Sequence, residues 1–106
     1  TGPFDGTWVA KDKVCYTVIQ REGRPVEVKT LPNETWRIVV ENVGLEHDRL
    51  TFEQYHIADR NAAHPFNGLR CRVTFTLDAR NPNRLHGVVH VAGIPVPMSG
   101  ALTRAR

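Results

Sequence analysis

The feature that most limits what this chain can become is a period of two in its apolar residues. It is clearest over Leu69–Leu77, LRCRVTFTL. There Leu69, Cys71, Val73, Phe75 and Leu77 share one face, and Arg70, Arg72, Thr74 and Thr76 share the other. Thr35–Val43 repeats the pattern, with Trp36, Ile38 and Val40 set against Arg37, Val39 and Glu41. Successive side chains of a strand point to opposite faces, so this period reads as half-buried β-structure. No stretch offers ten residues of amphipathic helix.

Gly, Pro, Asn and Asp cut the pattern into short pieces. Strands are predicted over Gly6–Ala10, Val14–Gln20, Pro25–Lys29, Thr35–Val43, Arg49–Ile57, Leu69–Leu77, Arg84–Ala92 and Ile94–Arg106. Pro95 and Pro97 interrupt the last. Residues 44–48 read as a loop or a single helical turn. Residues 58–68 form the longest irregular stretch, ending in the turn-prone pair Asn67-Gly68. Eight strands with short connections make an all-β fold, an eight-stranded antiparallel up-and-down barrel, with a β-sandwich as the alternative. Closure removes the exposed edges that invite aggregation. Such a barrel has an interior that side chains can fill or that can hold one small ligand.

The 106 residues make one domain spanning 1–106. A chain of that length buries roughly 65% of its unfolded surface, so its core is thin. Two cysteines occur, Cys15 and Cys71. Their spacing matches no metal or redox motif. They are either two buried thiols or one disulfide, and the disulfide is favoured. It would constrain the unfolded chain by roughly 4 kcal/mol, and it points to a periplasmic or secreted protein. No signal peptide is expected within the chain, and no apolar run is long enough for a membrane-spanning helix.

The net charge is +3. Nucleic-acid binders cluster Lys and Arg on one face; here Arg is spread along the chain, so no nucleic-acid partner is expected. Arg37, Arg70, Arg72 and Arg84 could form a stripe on the outer wall that attracts an acidic protein. His86 and His90, four apart on one strand, fall on the polar face opposite Arg72 and Thr76. Without an H-x-H or H-E-x-x-H pattern no metal is expected there. His56, Asp59, Arg60 and His64 gather at one strand end and loop, where a His–Asp pair could act as general base and orienter. No Ser or Cys stands in a nucleophile context, so no catalytic residue is assigned and no cofactor is expected.

Gly6-Thr7-Trp8 on the first strand, with Arg104 and Arg106 on the last, resembles the calycin superfamily of lipocalins, fatty-acid-binding proteins, avidins and bacterial metalloprotease inhibitors. The resemblance implies that Trp8 closes one end of the barrel. It also implies that Arg104, or else Arg106, packs over the indole ring, as a guanidinium does on an aromatic face. Function then belongs at the other mouth. Tyr16, Trp36, Phe52, Tyr55, His56, His64, Phe66, Phe75 and Met98 are the candidate ligand-binding residues, with His64-Pro65-Phe66 as a lid. The leading expectation is a non-enzymatic protein that binds a small, partly apolar ligand. One alternative is a secreted or periplasmic protein-binding module such as an enzyme inhibitor. The other is a small enzyme with a histidine general base in the 56–64 region.

Overall fold

A computed structural model gives the fold over residues 2–11, 15–30, 36–58 and 68–105, without the side chains of Trp36 and Ala58. Eight strands form: β1 (Gly6–Ala10), β2 (Cys15–Ile19), β3 (Glu27–Thr30), β4 (Trp36–Glu46), β5 (Arg49–Ala58), β6 (Arg70–Leu77), β7 (Arg84–Val91) and β8 (Met98–Arg104). They make one antiparallel sheet in the order β3-β2-β1-β8-β7-β6-β5-β4. The first and last strands pair, with Trp8 opposite Arg104 and Ala10 opposite Leu102. This curls the sheet into a barrel. At the remaining seam β3 approaches β4 without a ladder, and the Thr30 hydroxyl donates to the Ile38 carbonyl at 3.1 Å. The barrel is therefore nearly closed, all-β, and compatible with a calycin-like architecture.

Strand alternation decides what fills it. Val18, Leu50, Phe52, Val73, Phe75, Leu85 and Leu102 all point inward and are almost fully buried. Tyr16, Phe52 and Phe75 pack as a ring cluster with centroids 5.2–5.8 Å apart. Two of the three pairs are edge-on at 83°, the arrangement that brings the positive edge of one ring to the negative face of another.

One end is sealed. Trp8 and Phe4 have no exposed surface, and Trp8 Nε1 donates to the Phe4 carbonyl at 2.8 Å. The Arg104 guanidinium lies 4.2 Å from the centre of the indole ring. It donates to the carbonyls of Pro3 (2.9 Å), Pro82 (3.2 Å) and Asp5, and to Asn83 Oδ1 (3.1 Å). Gly6 makes this possible. Its φ is 134°, and a Cβ there would stand 2.6 Å from Arg104 Nη1. Arg106, the second choice for this role, lies outside the described residues.

Three expectations are corrected. First, β4 does not stop at Val43; it runs to Glu46, and only His47 and Asp48 turn the hairpin. The pairing shifts between Glu41 and Gly44, so that Asn42 and Val43 together face Phe52. Asn42 takes φ 54° at this bulge, a conformation asparagine tolerates better than most residues. The extra residue moves the inward set from Ile38 and Val40 to Val43, and the period of two is lost to the eye. Second, β8 begins at Met98 rather than Ile94. Pro95 and Pro97 have no N–H to give to a ladder. Third, Cys15 and Cys71 are not joined by a disulfide. Cys71 continues the inward series of Val73 and Phe75, whereas Cys15 precedes the inward Tyr16 and so points to the other face. Three strands also separate β2 from β6 in the sheet, and disulfide geometry demands close, mutually aimed Cβ atoms.

Candidate functional site

The seal at one end contrasts with the other. The turns at residues 21–26, 47–48 and 78–83 and the N-terminal segment crowd the Trp8 end. The C-terminal ends of β1, β3, β5 and β7 lie at the opposite mouth. Toward that mouth the inward side chains become smaller. β1 contributes Ala10, β6 contributes Cys71 and β7 contributes Val89 and Val91, where the sealed half holds Trp8, Phe75 and Leu85. What remains is a cavity of about 990 Å³ inside the open half of the barrel. Its wall is mainly apolar: Ile38, Leu69, Val89, Val91 and Leu102 line it with Tyr16 and Phe75.

A hydrogen bond crosses the floor. Tyr16 OH donates to Gln54 Oε1 at 3.1 Å, from β2 across the barrel to β5. Gln54 is only 4% exposed, and it is the one buried polar side chain among the described residues. Phe52, Gln54 and His56 follow one another on the inward face of β5, from core to mouth. Burial holds the His56 imidazole below its ordinary value of 6.5, because desolvation penalises the charged ring. Burial likewise pushes the Cys71 thiol up, which makes it a weaker nucleophile near neutral pH. At the rim stand Lys11, Ile94 and Met98. Ile94 is 51% exposed and Met98 60%, and Val96 between them is 70% exposed.

The predicted site residues therefore separate. Tyr16, His56, Phe75 and Met98 meet around the cavity. Phe52 packs beneath the floor against the Tyr16 and Phe75 rings. Tyr55 faces the outer wall, with the Arg70 guanidinium 5.0 Å from its ring centre. The odd-numbered positions of β5 alternate outward once Phe52 and Gln54 point in. His64, Phe66 and the Trp36 side chain lie outside the described residues, as do Asp59 and Arg60 of the proposed acid–base group.

Gln54 is the residue that sequence reasoning passed over. Its signal was present: it sits two positions from Phe52 and two from His56, on the face that alternation sends inward.

The outer wall is mixed in charge. Arg70 Nη1 lies 3.3 Å from Glu41 Oε2 and 3.8 Å from Glu53 Oε2. Arg72 stands opposite Glu53 in the register, and Arg84 lies 4.0 Å from Asp78. The expected basic stripe is thus interleaved with carboxylates. A shallow outer depression of about 530 Å³ lies among Glu53, Arg70, Arg72 and His90. His86 and His90 face outward opposite Thr76 and Arg72. Among the described residues no three His, Cys, Asp or Glu side chains gather as metal ligands, and no helix is long and apolar enough to cross a membrane.

Compared with known proteins, the chain matches no family, no curated protein and no solved structure.

Proposed function

We propose that this protein is a calycin-like barrel that binds a small, largely apolar molecule in its open half, without catalysing a reaction. One observation carries the reading. The cavity of about 990 Å³ has a mainly apolar wall and, among the described residues, a buried polar pair at its floor. Pockets that bind small molecules have this make-up, with volumes of roughly 300–1,000 Å³ and a few fixed polar groups. The Trp8–Arg104 seal supports the likeness to calycins, because it leaves the opposite mouth as the way in. The exposed Ile94 and Met98 at the rim offer an incoming apolar molecule its first contacts.

The test is a titration with N-phenyl-1-naphthylamine, an uncharged fluorophore that brightens in apolar surroundings. Saturable binding of one probe per chain is expected, with the probe released by added decane. A rise in fluorescence that never saturates, or that neither decane nor 2-decanone reverses, sinks the reading.

The exposed Ile94, Val96 and Met98 favour a second reading, a protein partner docked on the lip of the mouth. It predicts a complex that survives filling of the cavity and is lost when Val96 is changed to Ser.

A further inference from the structure

We propose that the cavity takes an uncharged ligand head-first, with a carbonyl-type acceptor seated on the amide N–H groups of Gln54. This rests on the reading of the cavity as a ligand site and adds the chemical class of the ligand.

The inference starts from what Gln54 leaves unused. Its Oε1 accepts from Tyr16 OH, so the amide is held with a known orientation and Nε2 is the remaining end. Nε2 carries two donors. The Gln54 side chain makes no other hydrogen bond among the described residues, and no fully buried side-chain nitrogen or oxygen among them lacks a partner. Nε2 therefore keeps some accessible surface. Gln54 lines the cavity and is 4% exposed, so that surface opens into the cavity rather than onto the outer wall. The floor thus presents N–H donors in an otherwise apolar space.

Charge decides the rest. The described lining holds one formally charged side chain, Lys11, and it stands at the rim. The other titratable groups that face the space are Tyr16, His56 and Cys71. Burial keeps the imidazole neutral near physiological pH and the thiol protonated. A carboxylate or ammonium carried to the floor would lose its hydration with no opposite charge among the described lining residues there to meet it. A ketone, ester or amide would give up much less and would gain Nε2 as donor. A plain hydrocarbon would fit the walls but leave the Gln54 donors dry, which is the penalty that lets buried polar groups discriminate between ligands.

Three ten-carbon competitors for bound N-phenyl-1-naphthylamine test this: 2-decanone, decane and decanoate, at pH 8. The comparison protein is the double variant Tyr16→Phe/Gln54→Met. It removes both members of the polar pair, so that neither is left unsatisfied, and a thermal melt checks its fold. The expected result is that 2-decanone outcompetes decanoate on the parent protein. The ratio of ketone to decane affinity should then fall roughly five- to tenfold in the double variant, the scale of one hydrogen bond. A ratio that does not move overturns the inference, as does tighter binding of decanoate than of the ketone. In both cases the ligand-binding reading stands, because ligands still bind. Failure of all three competitors and of the probe to bind the parent protein overturns the two together.

Discussion

Replacing Gly6 with Ala tests whether the sealed end is built around the absence of one side chain. Two effects add. The first is local: a residue with a Cβ is held at φ 134°, where L-residues are strained by about 1–3 kcal/mol. The second comes from the neighbour. The new Cβ would stand 2.6 Å from Arg104 Nη1, inside any permitted contact, so the guanidinium must move. It cannot move far without leaving the Trp8 ring 4.2 Å below it or its carbonyl acceptors on Pro3, Asp5 and Pro82. Loss of the stacking contact alone is worth about 0.5–2 kcal/mol. Together the substitution should destabilise the protein by about 1.5–5 kcal/mol, from the strain and stacking terms. For a chain of this size that lowers the Tm by about 6–40 °C, at 4–8 °C per kcal/mol.

Urea unfolding followed by tryptophan fluorescence measures it, provided the slope with urea is unchanged between variants. The decisive comparison is the same substitution in an Arg104→Ala background. There the clash has no partner, and only the backbone strain remains. Gly6→Ala should therefore cost less in that background, by about 0.5–2 kcal/mol, the coupling between the two sites. An equal cost in both backgrounds would falsify the claim that Gly6 is small on account of Arg104. A Gly6→Ala protein as stable as the parent would remove the whole argument for a seal.

Three further outcomes are expected. Val89→Phe places extra volume in the cavity wall and should abolish saturable probe binding while costing no more than about 1–3 kcal/mol of stability; unchanged probe affinity would mean the probe sits elsewhere. Burial lowers the folded-state pKa of His56 below its ordinary 6.5, so the unfolded chain takes up the proton first. The stabilising difference is present above pH 6.5 and is lost as pH falls through the lowered value; urea midpoints from pH 8 to pH 4.5 should show this decline, and it should be shallower in His56→Gln. With no disulfide, unreduced protein denatured and alkylated should gain two labels by intact mass. In the folded Cys15→Ser variant, the buried, high-pKa Cys71 should react slowly, and more slowly still with a bound ligand. A single mass without added label would contradict the structure.

Much of this fold was written in the alternation, and the exceptions have physical causes. β6 and β7 could be read almost residue by residue, because nothing interrupts their period. β4 could not, because the bulge at Asn42 and Val43 inserts one residue and flips the faces in mid-strand. Polar residues on both sides of the bulge then look like a loop. Tyr55 was misplaced for a different reason. Aromatic character says that a ring will be covered, and says nothing of which side covers it; here an arginine on the outer wall does so. Face is settled by register, and Phe52, Gln54 and His56 had already claimed the inside. The cysteines show the same point. Loop length favours a bond, but alternation aims the two thiols to opposite faces, and geometry outweighs the entropy of a loop that cannot be closed.

The two ends of the barrel differ although the same strands build both. Pairing is continuous from the sealed end to the mouth along β5 to β8, so the backbone gives no reason for a cavity at one end only. Side-chain size does. Along β6 the inward residues run from Phe75 and Val73 to Cys71, and along β7 from Leu85 through Gly87 to Val89 and Val91. Gly87 is no vacancy, since a Cβ there would stand 2.9 Å from Leu102 Cδ1; the neighbouring Leu102 and Phe75 already use that space. Beyond this layer the inward residues of β1, β6 and β7 are no larger than valine (Ala10, Cys71, Val89, Val91), Ile38, His56 and Leu69 line the space without filling it, and the Tyr16–Gln54 pair marks the boundary. Its position there is informative. A buried amide contributes little to a packed core and is costly if left unsatisfied, so an apolar pair at the same two positions would serve stability as well or better. That the chain carries Tyr and Gln where packing gives way to open volume is what supports the binding role proposed above.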